Sequence, residues 1–176
     1  MTVLTDHASP YCAATLPQRR ALHWQATSYH YLLCEQGALK QLDAFATTAR
    51  SHAYEMLGEV PLAEVEKRLA GMPISAHLLA IGSEPYLQQI DSMAWRLRIG
   101  PERLQSQRIG LETRDVLCMH CRAVAPNITH RIYRCGCGVH VLVRDHYSAR
   151  RGLYQGAPLA DADALIELLA DQPLGA

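Results

Sequence analysis

Four of the six cysteines in this 176-residue chain, Cys118, Cys121, Cys135 and Cys137, fall within 20 residues, while Cys12 and Cys34 stand alone. A thiolate is a soft ligand suited to zinc or iron. The spacing is Cys-x2-Cys, thirteen residues, then Cys-x-Cys. Two sulfurs on one tight knuckle can take two corners of a tetrahedron, and a hairpin brings the other two from a second knuckle. The second knuckle is one residue shorter, and Gly136 and Gly138 give its backbone freedom to turn. Were its two sulfurs unable to reach one ion, His120 or His140 could substitute.

This separation is that of a zinc ribbon or a rubredoxin-like site. A zinc ion held by four cysteines has no open coordination position and no redox chemistry, so it would be structural. Iron in the same tetrahedron could pass one electron. Rubredoxin-like iron sites usually have two residues inside both knuckles, so the short second one favours zinc, with mononuclear iron as the alternative. A two-iron cluster would draw its cysteines from differently spaced loops. Cys34, on a predicted strand, reads as ordinary core.

Directly after the second pair comes "RDHYSARRGLYQG", residues 144–156. Asp145, His146, Tyr147 and Ser148 are residue types of a catalytic site, and Arg150 and Arg151 could bind an anion. Catalysis needs a base within hydrogen-bonding reach of a nucleophile or substrate, and adjacency in sequence does not supply that. Tyrosine and arginine are also the residues on which protein interfaces concentrate binding energy. The run is therefore read as a docking segment with Asp145, His146, Tyr147, Arg150 and Tyr154 as its candidates, and no catalytic residue is assigned.

These residues must be positioned by the elements around them. "RIYRC" and "VHVLVRD" alternate as strands do and suit a hairpin around the second knuckle. Upstream, strands are predicted at "SYHYLLCE" (28–35), "HAYEML" (52–57, ended by Gly58), "AHLLAIG" (76–82) and "ERLQSQRIG". Between them lie helical patterns. Residues 38–49 set Leu39, Leu42, Phe45, Ala46 and Ala49 on one face. A second helix has Pro61 in its first turn, carries Leu62, Val65 and Leu69, and stops at Gly71. A third is capped by Ser83, buries Leu87, Ile90, Met93, Ala94 and Leu97, and ends at Gly100-Pro101.

Alternation of this kind predicts a mostly parallel sheet covered by helices. The organisation expected is an extension over 1–27, an α/β domain over 28–112, a cysteine metal-binding module over 113–158, and a C-terminal helix and tail over 159–176. In that tail Leu165, Leu168 and Leu169 share one side. His23 and Trp24 fit either core or interface.

Composition narrows the function classes. The 17 basic and 17 acidic residues cancel, so the chain as a whole does not attract nucleic acid or an anionic membrane. No run of 18 apolar residues exists, which excludes a spanning helix. The first twenty residues lack the basic start and apolar block of a signal peptide, so a cytoplasmic location with reduced cysteines is expected. Arg122, Arg131, Arg134, Arg144, Arg150 and Arg151 nonetheless make the cysteine region locally basic. A nucleic-acid-binding zinc ribbon is a further, less favoured reading.

Two resemblances add to this. Residues 77–109, with Ile81, Gly82, Ser83, Glu84 and Pro85 in the turn after a strand, resemble the last strand–helix–strand unit of ferredoxin-reductase-type nucleotide-binding domains. That implies a degenerate, three-layer reductase-like α/β fold. Such reductases carry a glycine-rich loop after their first strand, where "LLCEQGALKQL" has Gly37 alone. Glu35 and Gln36 would crowd a phosphate there and Glu35 would repel it, so nucleotide binding is expected to be lost.

The two cysteine pairs followed by "DHYS" and "GLYQG" resemble the small A-subunit family of bacterial dimethylamine monooxygenase. The resemblance implies an accessory subunit of an NAD(P)H-driven oxidoreductase that demethylates dimethylamine to methylamine and formaldehyde. Haem on an oxygenase partner, and flavin and iron–sulfur on a reductase partner, would carry the chemistry.

Overall fold

A computed structural model describes residues 19–24, 29–47, 53–58, 60–159 and 172–174. Cys12 and the body of the predicted helix over 159–172 lie outside the described residues. Strands and helices alternate through the first part: β1 (His30–Cys34), α1 (Leu39–Ala46), β2 (Tyr54–Gly58), α2 (Leu62–Leu69), β3 (His77–Gly82), α3 (Glu84–Arg96) and β4 (Leu104–Arg108). The strands form one sheet in the order β2-β1-β3-β4, and every pairing is parallel. In β3 the five residues Leu78–Gly82 are buried in succession, as a central strand covered on both faces requires.

Both faces are covered. Leu42 and Ala46 of α1 pack with Leu32, Cys34, Leu79 and Ile81 on one side. Val65 and Leu69 of α2, with Leu87, Ile90 and Met93 of α3, pack with Leu33, Leu57, Leu78 and Ala80 on the other. Trp24 belongs to the first of these cores, its ring stacked on Phe45 at 4.6 Å. Residues 19–24 run beside the edge strand β4, where Arg20 N–H donates to the Ser106 carbonyl at 2.9 Å and Gln107 Oε1 accepts from Leu22 N–H at 3.0 Å. This segment partly covers an edge that would otherwise be open.

Helix α3 ends earlier than its sequence suggests. Arg98 adopts φ 57°, and Ile99 N–H reaches back to the Ala94 carbonyl at 2.9 Å. That is a Schellman termination with arginine in the position glycine usually takes. Gly100 and Pro101 instead start a short 3-10 turn over Pro101–Arg103. The helix start also differs. Ser83 occupies the cap position but its hydroxyl makes no cap bond to the helix; it donates to Glu35 Oε1 at 2.9 Å.

The second sheet contains β5 (Arg114–Cys118), β6 (Val124–Ile128), β7 (Ile132–Arg134), β8 (His140–Ser148) and β9 (Leu153–Pro158), in the order β6-β5-β9-β8-β7. Two antiparallel hairpins, β5–β6 and β7–β8, flank β9, which runs parallel to β5 and antiparallel to β8. Because β9 is central, Gly156 has no room for a side chain. A Cβ there would lie 2.6 Å from Val141 Cγ1 and 2.8 Å from Val116 Cγ1.

Residues 144–156, expected as a docking segment, lie largely on the two strands β8 and β9. "RDHYS" continues β8 and "LYQG" is strand β9. Four steps along β8, from Val143 to Tyr147, match two along β9, from Gly156 to Tyr154. The surplus makes a bulge that turns Arg144, Asp145 and His146 outward.

Candidate metal centre

The two cysteine pairs sit at the turns of the two hairpins, and the turns are built alike. In the first, Cys118 N–H donates to the Ala123 carbonyl and Arg122 N–H returns to the Cys118 carbonyl, both at 2.9 Å. In the second, Cys135 N–H donates to the Val139 carbonyl at 2.9 Å and Gly138 N–H returns to the Cys135 carbonyl at 2.8 Å. The residue after the second cysteine has positive φ in each, Arg122 at 65° and Gly138 at 90°. The missing residue of Cys-x-Cys therefore shortens the loop without changing its closure. The freedom of glycine is used at Gly138; Gly136 does not take positive φ.

Closing both turns brings the Sγ atoms of Cys118, Cys121, Cys135 and Cys137 within 4.8 Å of one another, with Cys121 and Cys135 at 3.7 Å. A tetrahedron of thiolates at ~2.3 Å from zinc sets sulfurs ~3.8 Å apart. All four donors are sulfur, so neither His120 nor His140 is needed to complete the set. Its electrostatics also suit a cation. Backbone N–H of Val139 and the His120 side chain pull the Cys137 thiol down to about 6. Burial raises the Cys118 thiol, but backbone N–H groups of Cys121 and His120 outweigh it and the net shift is downward. For Cys121, the Ala123 backbone lowers the thiol, but burial and the three neighbouring sulfurs push it up to about 11. Four sulfurs this close repel one another when ionised, and a metal ion relieves that repulsion.

These residues fit a tetrahedral thiolate metal such as zinc or iron. With zinc, the four cysteines would cross-link two hairpins; with iron they would also supply a one-electron couple. The Tyr133 ring packs on the cysteines, and burial followed by the four sulfurs keeps its phenol protonated far above the usual range.

The docking candidates separate. Asp145, His146 and Arg150 are exposed. Tyr147 and Tyr154 are buried at 3% and 4% exposure, so neither faces a partner. Tyr147 holds the module against α3 instead, with Tyr154 packed beside it. Tyr147 Oη donates to Asp91 Oδ2 at 2.9 Å, and burial, then the Asp91 carboxylate, raise its phenol far beyond ionisation. The Tyr147 and Tyr154 rings lie 4.8 Å apart, and the Arg114 guanidinium stacks on Tyr154 at 4.4 Å. Asp145, though exposed, accepts from Arg114 Nη1 at 2.7 Å.

Sequence reasoning missed the other half of this contact. Arg19 donates to Glu84, to Asp91 (2.6 Å from Nη2) and to Ser106 Oγ, and all four residues are buried or nearly so. A signal was present: Glu84, Gln88 and Asp91 stand at i, i+4 and i+7 on α3, beside the apolar stripe that faces the sheet. All three are buried, because the module and residue 19 cover a second face of the helix. Gln88 Oε1 accepts from Asp115 N–H at 3.3 Å, and Ser92 Oγ donates to the Arg150 carbonyl at 3.0 Å.

At the carboxyl end of the parallel sheet, where strand order reverses between β1 and β3, an α/β fold ordinarily binds ligands. Here Glu35 occupies that place. Its carboxylate accepts from Ser83 N–H at 2.6 Å and from Ser83 Oγ at 2.9 Å. The chain's own anion thus sits at the amino end of α3, where a phosphate would otherwise be held, and the residues present do not fit a nucleotide phosphate.

Residues 115–157 match the family model described as "Dimethylamine monooxygenase subunit DmmA-like, C-terminal domain". This part of the chain is thus similar to a domain described from a monooxygenase subunit. The matched residues contain all four cysteines. No curated protein and no solved structure matches the chain. Among the described residues no helix is long and apolar enough to cross a membrane.

Proposed function

We propose that this chain is an accessory subunit of an NAD(P)H-driven, haem-dependent monooxygenase that converts dimethylamine to methylamine and formaldehyde. Its role is to hold a structural four-cysteine zinc and to dock to the haem-containing oxygenase and the flavin/iron–sulfur reductase subunits in the cytoplasm. The observation that carries this reading is that the DmmA-like domain match and the four-sulfur cluster fall on the same residues. A degenerate reductase-like domain over 28–112, with Glu35 in the phosphate position, suits a chain that assembles with a reductase without binding the nucleotide itself. The test is reconstitution of oxygenase and reductase components with and without this chain, following formaldehyde release and co-elution. Full activity without the chain, and no co-elution, would sink the reading.

The exposure of Cys121 and Cys137 favours one second reading, a rubredoxin-like iron electron carrier, because it leaves a short path from the centre to the surface. Visible absorption settles it, since an iron tetrathiolate is coloured and zinc is not. Elemental analysis that finds zinc alone in the native complex removes it.

A further inference from the structure

The four-sulfur centre is open on one side. Cys118 and Cys135 are buried, whereas Cys121 and Cys137 are exposed. Arg122, Val124, Arg134, Gly136 and Gly138 beside them are exposed too. Val124 is 49% exposed, one of four large apolar side chains so open among the described residues. A Cβ built on Gly136 or Gly138 would meet nothing within 4 Å, so another surface can approach the knuckle closely.

The charge around this opening is one-sided. From Cys118 to Arg144 the chain carries Arg122, Arg131, Arg134 and Arg144 and no aspartate or glutamate. With 17 basic and 17 acidic residues in all, the rest of the chain holds 13 against 17. Arg19, Arg68, Arg96, Arg108 and Arg114 each lie on a carboxylate of this chain. Arg122, Arg131 and Arg134 form no ion pair among the described residues. Among the described residues Arg20, Arg98, Arg103, Arg150 and Arg151 also lack an ion pair, so what sets the sulfur edge apart is that its arginines stand in a stretch with no aspartate or glutamate.

We infer that the open sulfur edge, with Val124 and the knuckle glycines at its middle and Arg122 and Arg134 at its rim, is a docking surface for an acidic face of a partner protein. An apolar middle within a charged rim is the anatomy of a protein interface, and complementary rim charges govern encounter and specificity. Nucleic acid fits less well. The region has no lysine, and its one Phe, Tyr or Trp ring, Tyr133, packs inward on the cysteines, which leaves only the imidazoles of His120 and His130 exposed for stacking. The inference rests on the accessory-subunit reading and adds which face of the chain meets the complex.

The experiment uses the full zinc-loaded chain, titrated with the oxygenase and reductase components at low and high salt. The double variant Arg122→Glu/Arg134→Glu is expected to weaken binding at least ~10-fold at low salt and to abolish the salt dependence of the native chain. Zinc content and near-ultraviolet dichroism should be unchanged, and Lys40→Glu, on an exposed position of α1, should bind as the native chain does. Undiminished binding by the double variant overturns the inference while leaving the accessory role standing. If neither component binds, the accessory role fails. The face is then decided by amide shifts on titration with poly-L-glutamate and with a single-stranded oligonucleotide. Shifts confined to residues 119–140 with polyglutamate support it, whereas dispersed shifts, or tighter binding of the oligonucleotide, overturn it.

Discussion

The largest fully buried side chains, from His30 through Leu79 and Ile81 to Met93, all lie in the parallel sheet and its helices. Among the described residues the five-stranded sheet has smaller cores to set against them: Val116, Val143, Tyr147, Tyr154 and Leu174 in one, and Cys118, Cys135 and Val141 in the other. The parallel sheet can be held by apolar burial on both faces. The module cannot, and it leans on two other supports, the sulfur centre at one end and the polar face of α3 at the other. Two sheets in one chain thus depend on different physical terms and should fail under different treatments.

If the four sulfurs hold zinc as proposed, removing it should produce the largest effect. Structural zinc contributes about 10–16 kcal/mol of apparent binding free energy to small domains at neutral pH. Chelation, or Cys118→Ser, should erase amide protection across β5 to β9 while β1, β3 and α3 stay protected. Hydrogen exchange read by mass spectrometry on both states checks it. Equal loss in the two sheets would mean that the module is part of the α/β core and that the two sheets do not depend on different terms.

Next comes the ion cluster on α3. Arg19→Met leaves Glu84 and Asp91 buried with one cation fewer, a change that ordinarily costs about 3–5 kcal/mol. Tyr147→Phe removes a single hydrogen bond to the same Asp91 and should cost about 1 kcal/mol. Denaturant melts of the two single variants and the double variant give the coupling. A clear non-additive term shows that residue 19 and the module grip the helix through one shared carboxylate. Strict additivity shows two separate contacts.

A smaller and more local effect is expected of Gly156→Ala. The added methyl would press on Val116 and Val141 from the middle strand, and overpacking of this kind costs about 1–3 kcal/mol. The loss should appear in the melting of the module and leave the parallel sheet unchanged.

What could be read from sequence follows the same division. The parallel sheet was legible because its strands are runs such as HLLAIG and its helices carry one apolar stripe each, signals that depend on neighbours in sequence. The clustering of the four cysteines was legible because knuckle spacing is a local constraint. The strand character of 144–156 was not. Whether DHYS is a loop or a strand depends on β9 passing between two hairpins, a pairing over long range that periodicity does not encode. Tyr147 looked like an interface residue because buried and docking tyrosines have the same local context. Arg19, Glu84 and Asp91 went unread because a polar stripe on a helix ordinarily faces water. Here it is covered, and only the distant residues that cover it, Arg19 and Tyr147, reveal that.

The smallest predicted effects give a matched pair, because each region is turned by an arginine in the left-handed conformation, Arg98 at the end of α3 and Arg122 at the end of the first knuckle. Glycine at either position relieves a backbone cost of about 1–2 kcal/mol, less the entropy it adds to the unfolded chain. Arg98→Gly should therefore raise the melting temperature of the α/β sheet by a few degrees and leave zinc affinity alone. Arg122→Gly should strengthen zinc retention against a competing chelator by severalfold, and leave the α/β melt where it was. If the sulfur edge is a docking surface, Arg122→Gly should also bind the partner more weakly, although its fold is the more stable. A gain in stability with a loss in binding is the outcome expected of a residue kept for its charge against the preference of its backbone. Gains in both would show that Arg122 contributes no binding energy, and would move the contact to Arg134 and the far side of the knuckle.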